Sequence, residues 1–239
     1  MFSHKHFITA VTVFLFVMAS LTPMSLRAEG SDEAERAMKA AEVLKEVMQI
    51  PESGIPDGLM ERAVAVAVIP HVVKGAFGLG GRYGKGLVSH RVNGKWSAPS
   101  YISLGGGSFG LQLGVEATDV VLVFTSHDGF KGLLDGKVKL GADAAVAAGP
   151  VGRKAEVGTD ILLKSAVYSY SRSKGLFAGI ALDGAVVTID DSANKKIYGK
   201  DVTGHDILLR NRVRMNNAVT PFVRALEMYS PQPKRTTQR

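Results

Sequence analysis

A punctuation of glycine and phenylalanine recurs through the middle of this chain and limits what it can fold into. Gly75-Ala-Phe77-Gly78, Gly107-Ser-Phe109-Gly110 and Gly175-Leu-Phe177-Ala178 share a Gly-x-Phe-small pattern, and Gly141-Ala-Asp143-Ala144 is a degenerate fourth copy. The leading glycines stand 32, 34 and 34 residues apart. Each copy reads as a strand-entry device, in which glycine permits a bend or a close backbone approach and the aromatic ring plugs the core. Identity between the units is too low for a solenoid. The pattern therefore predicts an α+β domain built on a strongly curved or barrel-like antiparallel sheet. With 27 glycines and only 10 phenylalanines, the composition favours such small-residue packing over a helical bundle.

Strand and turn text runs from Val64 to about Tyr198. Strands are expected at 64–69, where Pro70 ends the first, and at 76–83, 86–92, 100–104, 110–116, 120–125, 138–147, 162–171, 176–189 and 196–198. Residues 166–184 read as a hairpin whose outgoing arm alternates Tyr168, Tyr170, Arg172 and Lys174 with small residues. Helices flank this sheet text. The first spans 32–49, with Ser31 as cap and an apolar stripe of Ala34, Ala37, Met38, Ala41, Leu44 and Met48. A stripe of that kind is core material first and a membrane-surface face second. Shorter helices are expected at 56–62, as one turn at 130–134, at 204–210, and after Thr220-Pro221. Residues 230–239 read as a disordered tail.

The N-terminus reads as a secretory signal over 1–28: Lys5 precedes an apolar core from Phe7 to Met18, and Leu26-Arg27-Ala28 ends in a small residue. An uncleaved anchor is the alternative; either places the folded part outside the cytoplasm, in the periplasm or secreted. Cysteine is absent, which removes disulfides, thiol nucleophiles and a lipoprotein anchor. The formal charge is +7, and the excess is local. From Arg210 onward seven basic residues face one acid, Glu227, whereas 29–209 is close to neutral. The domain is thus expected over 29–209, with a basic helix and tail over 210–239. A basic tail is drawn to anionic surfaces such as phospholipid.

Reactive motifs fail on context. Gly106-Gly-Ser108-Phe-Gly110 spells a nucleophile elbow, and Gly105-x-Gly107-x-x-Gly110 spells a dinucleotide fingerprint. Both demand a helix next, yet Leu111-Gln-Leu113-Gly-Val115 alternates like a strand. Asp190, Ser192, Asn194, Lys196 and Asp201 sit at calcium-loop positions, but Lys195 occupies the glycine position, so a polar turn is expected there. His71, His90, His127 and His205 are scattered without metal-ligand spacing. Trp96 beside Asn93-Gly94 reads as core packing at a hairpin end. Neither enzyme chemistry nor a cofactor is expected, and no nucleic-acid partner.

Basic residues at predicted turns remain: Lys74, Arg82, Lys85, Arg153, Lys154, Arg172 and Lys174. Gathered at one end of the sheet they would form a phosphate-binding patch. The chain also resembles the SYLF domain family, whose yeast members give it the name actin-binding Ysc-type domain. The resemblance lies in Ile69-Pro-His-Val-Val-Lys-Gly-Ala-Phe-Gly-Leu-Gly-Gly81, in the run from Trp96 to Gly114, in Gly149-Pro-Val-Gly-Arg153, and in the hairpin from Tyr168 to Gly184. It implies a non-enzymatic module that binds anionic, phosphoinositide-like head groups at a membrane, with Lys74, Arg82, Lys85, Arg172 and Lys174 as candidate lipid-binding residues. The alternative it carries is a protein-binding module for actin-like filaments or an envelope partner. An exported, bacterial-type member is what the apparent signal suggests.

Overall fold

The computed structural model describes residues 30–50, 54–77, 79–108, 114–152, 165–173, 176–199, 201–210 and 212–230. The expected signal segment, Arg153, Lys154, Lys174 and the last nine residues lie outside them. Helix α1 (Ser31–Gln49) and α2 (Asp57–Arg62) precede strands β1 (Ala65–Phe77), β2 (Leu79–Val92), β3 (Lys95–Trp96), β4 (Ser100–Ser108) and β5 (Gly114–Phe124). After α3 (His127–Leu134) come β6 (Lys137–Lys139), β7 (Val146–Ala148), β8 (Val167–Ser173), β9 (Leu176–Gly179) and β10 (Val186–Ile189). Helices α4 (Asp191–Tyr198), α5 (Gly204–Leu208) and α6 (Thr220–Tyr229) close the chain.

Eight strands follow one another in the order β6-β10-β4-β2-β1-β5-β8-β7, with β3 on β2 and β9 on β8. The two ends of that row, Lys139 of β6 and Val146 of β7, are only seven residues apart in sequence. Seven residues reach at most about 25 Å, whereas eight strands laid flat would span roughly 34 Å. The sheet must curl, and it does so into a half-barrel. The pairs are antiparallel except β7 with β8, which is parallel, a departure from the wholly antiparallel sheet expected.

Alternation along the strands divides the core in two. On the concave face Ala65, Ala67, Ile69, Val88, Leu122 and Phe124 meet Val138 and Val187 from one end of the row and Val167 from the other. Helix α3 plugs this hollow with Phe130 and Leu133. On the convex face Val66, Val68, Leu87, Tyr101, Val121, Tyr168 and Tyr170 receive α1 and α6. The apolar stripe of α1 is consumed there: Ala37, Ala40, Leu44, Val47 and Met48 are fully buried, while Met38, placed on that stripe by spacing, is 58% exposed. Gly30, not Ser31, occupies the cap position of α1.

Several boundaries move. Pro70 does not end β1; it sits in an irregularity where register shifts between Ile69 and Val72, so its missing N–H breaks no ladder. His71 follows with φ 54°. The expected strands 76–83 and 86–92 are instead the end of β1 and one continuous β2. Likewise the described part of 110–116, from Gly114 on, shares one strand, β5, with 120–124, while 138–147 breaks into β6 and β7 around a turn at Gly141. Residues 196–198 are helical, not extended, and 190–201 is no loop for calcium: Asp190 caps α4 through the Ala193 N–H, and Asn194 is buried. Ser230, expected in the tail, is buried, and its hydroxyl donates to the Met60 carbonyl. Trp96 packs in the convex core with the Arg91 guanidinium over its ring, as its place at the Asn93-Gly94 turn predicted.

Candidate functional site

Two surfaces concentrate charge, one on each face of the sheet. On the convex side a groove runs between α1 and the irregularity of β1. Its first section, about 340 Å³, lies among Arg36, Lys39, His71, Val73, Tyr83 and Lys85. Its second, about 460 Å³, continues past Lys39 and His71 to Glu42, Glu46, Asp119 and Arg172. The irregularity shapes the groove. His71 is turned out to solvent, and its backbone N–H donates to Asp119 Oδ1 at 3.0 Å. Val73 and Tyr83, opposite one another on β1 and β2, are 38% and 55% exposed although both are large and apolar or aromatic.

Three cations of this groove, Lys39, Lys85 and Arg172, are paired with carboxylates, whereas Arg36 lies over the Tyr101 ring with its Nη1 buried and unpartnered. Arg172 donates to Asp119 Oδ2 from Nη2 at 2.9 Å and also contacts Glu46, so one guanidinium ties α1 to β5 and β8. Burial works against its charge, but Asp119 and Glu46 outweigh burial and raise its pKa above the ordinary value. Lys85 pairs with Asp190 at 3.2 Å. Burial works against the Asp190 charge too, yet the Ala193 N–H and Lys85 prevail and hold its carboxyl below the usual range. At the N-terminal end of α1, Lys196 reaches the buried Glu33 at 3.1 Å, and the Tyr101 hydroxyl donates to the Glu33 carbonyl.

On the concave side a cleft of about 270 Å³ opens at the mouth of the half-barrel, at the end away from α3. Val72, Val120, Ile180 and Leu182 form its apolar wall, and Lys74, Arg82, Glu116, Thr118 and Ser171 its polar rim. Lys74 stands directly opposite Arg82 on one side and Glu116 on the other. The Arg82 Nε is buried with no hydrogen-bond partner.

A third cluster joins buried His90 and Phe130 to exposed His127. His90 stacks on Phe130 (centroids 4.9 Å) and meets the edge of His127 at 5.7 Å, bringing together two histidines that spacing left apart. Its Nδ1 lies 3.1 Å from the Leu208 carbonyl, whereas Nε2 is buried without a partner. Among the described residues no group of three metal-ligating side chains converges. No described helix is long and apolar enough to cross a membrane.

Comparison with known proteins decides the family. Residues 105–229 match the Ysc84 family, described as "Las17-binding protein actin regulator". Protein YSC84 of Saccharomyces cerevisiae is 36% identical over 214 residues, covering 86% of this chain and 44% of the yeast protein. The chain belongs to the Ysc84 family. Its relatives include LAS seventeen-binding protein 3 of the same yeast, 38% identical over 72% of this chain and 38% of that protein. In Homo sapiens, SH3 domain-containing YSC84-like protein 1 is 34% identical over 77% of this chain and 56% of its own length. The chain thus spans between about two fifths and just over half of these relatives.

For this Ysc84-family chain the structure divides the five candidate lipid-binding residues. Lys74 and Arg82 adjoin on the concave face; Lys85 and Arg172 lie on the convex face, each ion-paired; Lys174 is outside the described residues. The four described residues do not form one patch. Sequence reasoning passed over Tyr83, Val73 and Glu116. Tyr83 carried one available signal, an aromatic in a glycine-rich, basic strand, but its exposure depends on the irregularity just before its cross-strand partner Val73.

Proposed function

We propose that this Ysc84-family chain is a non-enzymatic binding module that engages a protein of the actin-regulatory machinery through its convex groove. The observation that carries the reading is the exposed Tyr83–Val73 pair set in a groove of mixed charge. Tyrosine, arginine and apolar contacts within a polar rim are what protein interfaces use. Its carboxylates, Glu35, Glu42, Glu46 and Asp119 among them, offset its cations, so the groove offers a uniformly acidic membrane no net positive face. The apolar stripe of α1, which a membrane-surface helix needs free, is spent on the core. The family description and the name of LAS seventeen-binding protein 3 support a protein partner. Lipid-free co-sedimentation with actin filaments tests the reading. The purified chain is expected to pellet with filaments, and Tyr83→Ala to weaken binding about tenfold, the loss typical of an interface aromatic. A chain that stays in the supernatant at micromolar filament overturns it.

A second reading is peripheral binding of anionic phospholipid head groups by an exported, periplasmic or secreted protein. It is favoured by Lys74 beside Arg82, the described candidate cations that form no ion pair. Basic residues near an acidic membrane contribute about 1 kcal/mol each, so binding to vesicles with acidic lipid should weaken as salt rises. Indifference to such vesicles at low ionic strength removes this reading.

A further inference from the structure

The row Arg82, Lys74, Glu116 across β2, β1 and β5 is unusual in its order of charge. Two like charges directly opposite on neighbouring strands repel, and Lys74 and Arg82 hold that relation at the rim of the concave cleft. The carboxylate that could relieve them, Glu116, flanks Lys74 on the far side but forms an ion pair with neither. The Arg82 Nε–H is buried without an acceptor, so an anion in the cleft would meet the guanidinium at its terminal nitrogens. Arg82 faces Gly106 on β4, which adds no side chain to the space beside it. The cleft is thus short of an anion between two cations. Any anion seated there, however, lies one strand from the Glu116 carboxylate.

We propose that this mouth binds a zwitterionic aminoalkyl phosphate, with the phosphate across Lys74 and Arg82 and the ammonium toward Glu116. The guanidinium offers a forked pair of donors and the lysine a point charge to the phosphate oxygens. An ammonium two carbons from the phosphate turns the neighbouring carboxylate from a repulsive group into a partner. Size agrees. A cleft of about 270 Å³ has room for a head group of this size. The apolar wall of Val72, Val120 and Leu182 receives the ethylene carbons. Such a head group reaches the cleft either free in solution or on a lipid. The lipid case rests on the second reading above; the soluble case does not.

Isothermal titration of the purified chain with O-phosphoethanolamine, inorganic phosphate and ethanolamine tests the site, with pelleting on phosphatidylethanolamine–phosphatidylcholine vesicles as a parallel arm. Phosphoethanolamine should bind about tenfold tighter than phosphate, and ethanolamine should not bind alone. Glu116→Gln, at an exposed position, should abolish that preference by weakening phosphoethanolamine only. Arg82→Met should weaken both phosphates at least about tenfold, with circular dichroism confirming its fold. Vesicle binding displaced by phosphoethanolamine supports the inference with a lipid source. Binding of the free head group without vesicle binding supports it with a soluble source and removes the lipid reading. Binding to acidic vesicles without any response to phosphoethanolamine overturns the inference and leaves the lipid reading standing. Equal affinity for phosphate and phosphoethanolamine, or a Glu116→Gln variant that behaves like the parent, also overturns it.

Discussion

Acidification should destabilise this domain through one histidine. His90 on β2 is buried against Phe130 and α5, and its Nδ1–H donates to the Leu208 carbonyl, so Nε2 carries the lone pair. That nitrogen faces no partner. Protonating it would place an N–H and a positive charge in an apolar pocket beside His127. Burial therefore lowers the His90 pKa from 6.5; the Leu208 hydrogen bond opposes this in part, and His127 adds to it. The unfolded chain takes up the proton near its ordinary value while the folded chain refuses it. Stability is then full above about pH 7 and falls as pH drops below 6.5, at about 1.4 kcal/mol per unit, until the folded state protonates too. That slope is the ceiling for one proton, and each 1 kcal/mol lost lowers the melting temperature by about 2–4 °C for a domain this size. Urea unfolding at pH 7, 6 and 5 on the parent and on His90→Phe reads it. The variant loses about 1 kcal/mol at pH 7 with the hydrogen bond to Leu208 but should show a flatter pH slope over this window. Parallel slopes for the two proteins would refute the reasoning.

Three substitutions probe the remaining contacts. Gly149→Ala would set its Cβ 2.0 Å from the Tyr170 ring and should destabilise by about 3 kcal/mol or more in denaturant unfolding. Asn194→Ala removes the acceptor of the buried Tyr101 N–H and the donor to Ser100 Oγ, for a loss of about 1–3 kcal/mol by the same measurement. Arg172→Met unties α1 from β5 and β8; its partial exposure keeps the loss near 1 kcal/mol, and a salt titration should shrink the difference between variant and parent.

The sheet was legible because alternation and turn dipeptides are local signals, and Asn93-Gly94 turns with φ of 51° and 81° as such a pair should. What sequence obscured was the use of glycine. Gly84-Lys85 read as a break between strands and Gly86 as the start of the next, yet all lie within β2, where the irregularity of β1 presses on both glycines. An added Cβ would stand 2.7 Å from Val72 Cγ2 at Gly84 and 2.2 Å from the Val68 carbonyl at Gly86. The same irregularity hid the division of the cations. Simple alternation from Val66 and Val68 puts Lys74 on the α1 side. The extra residue at Pro70–His71 flips it to the concave face, beside Arg82 and away from Arg172. No local signal other than Pro70 itself marks that step. The helix over Asp191–Tyr198 was missed because Lys-Lys-Ile-Tyr reads as strand text, whereas Asp190 supplied the cap that decides it.

Hydrogen exchange on the complex with actin filaments, in lipid-free buffer, tests the proposed interface most directly. The account predicts added protection confined to the strip formed by α1, the irregularity of β1 at 70–74, and β2 around Tyr83 to Lys85. Protection centred on the concave mouth, or none at all where filaments saturate the chain, would contradict it.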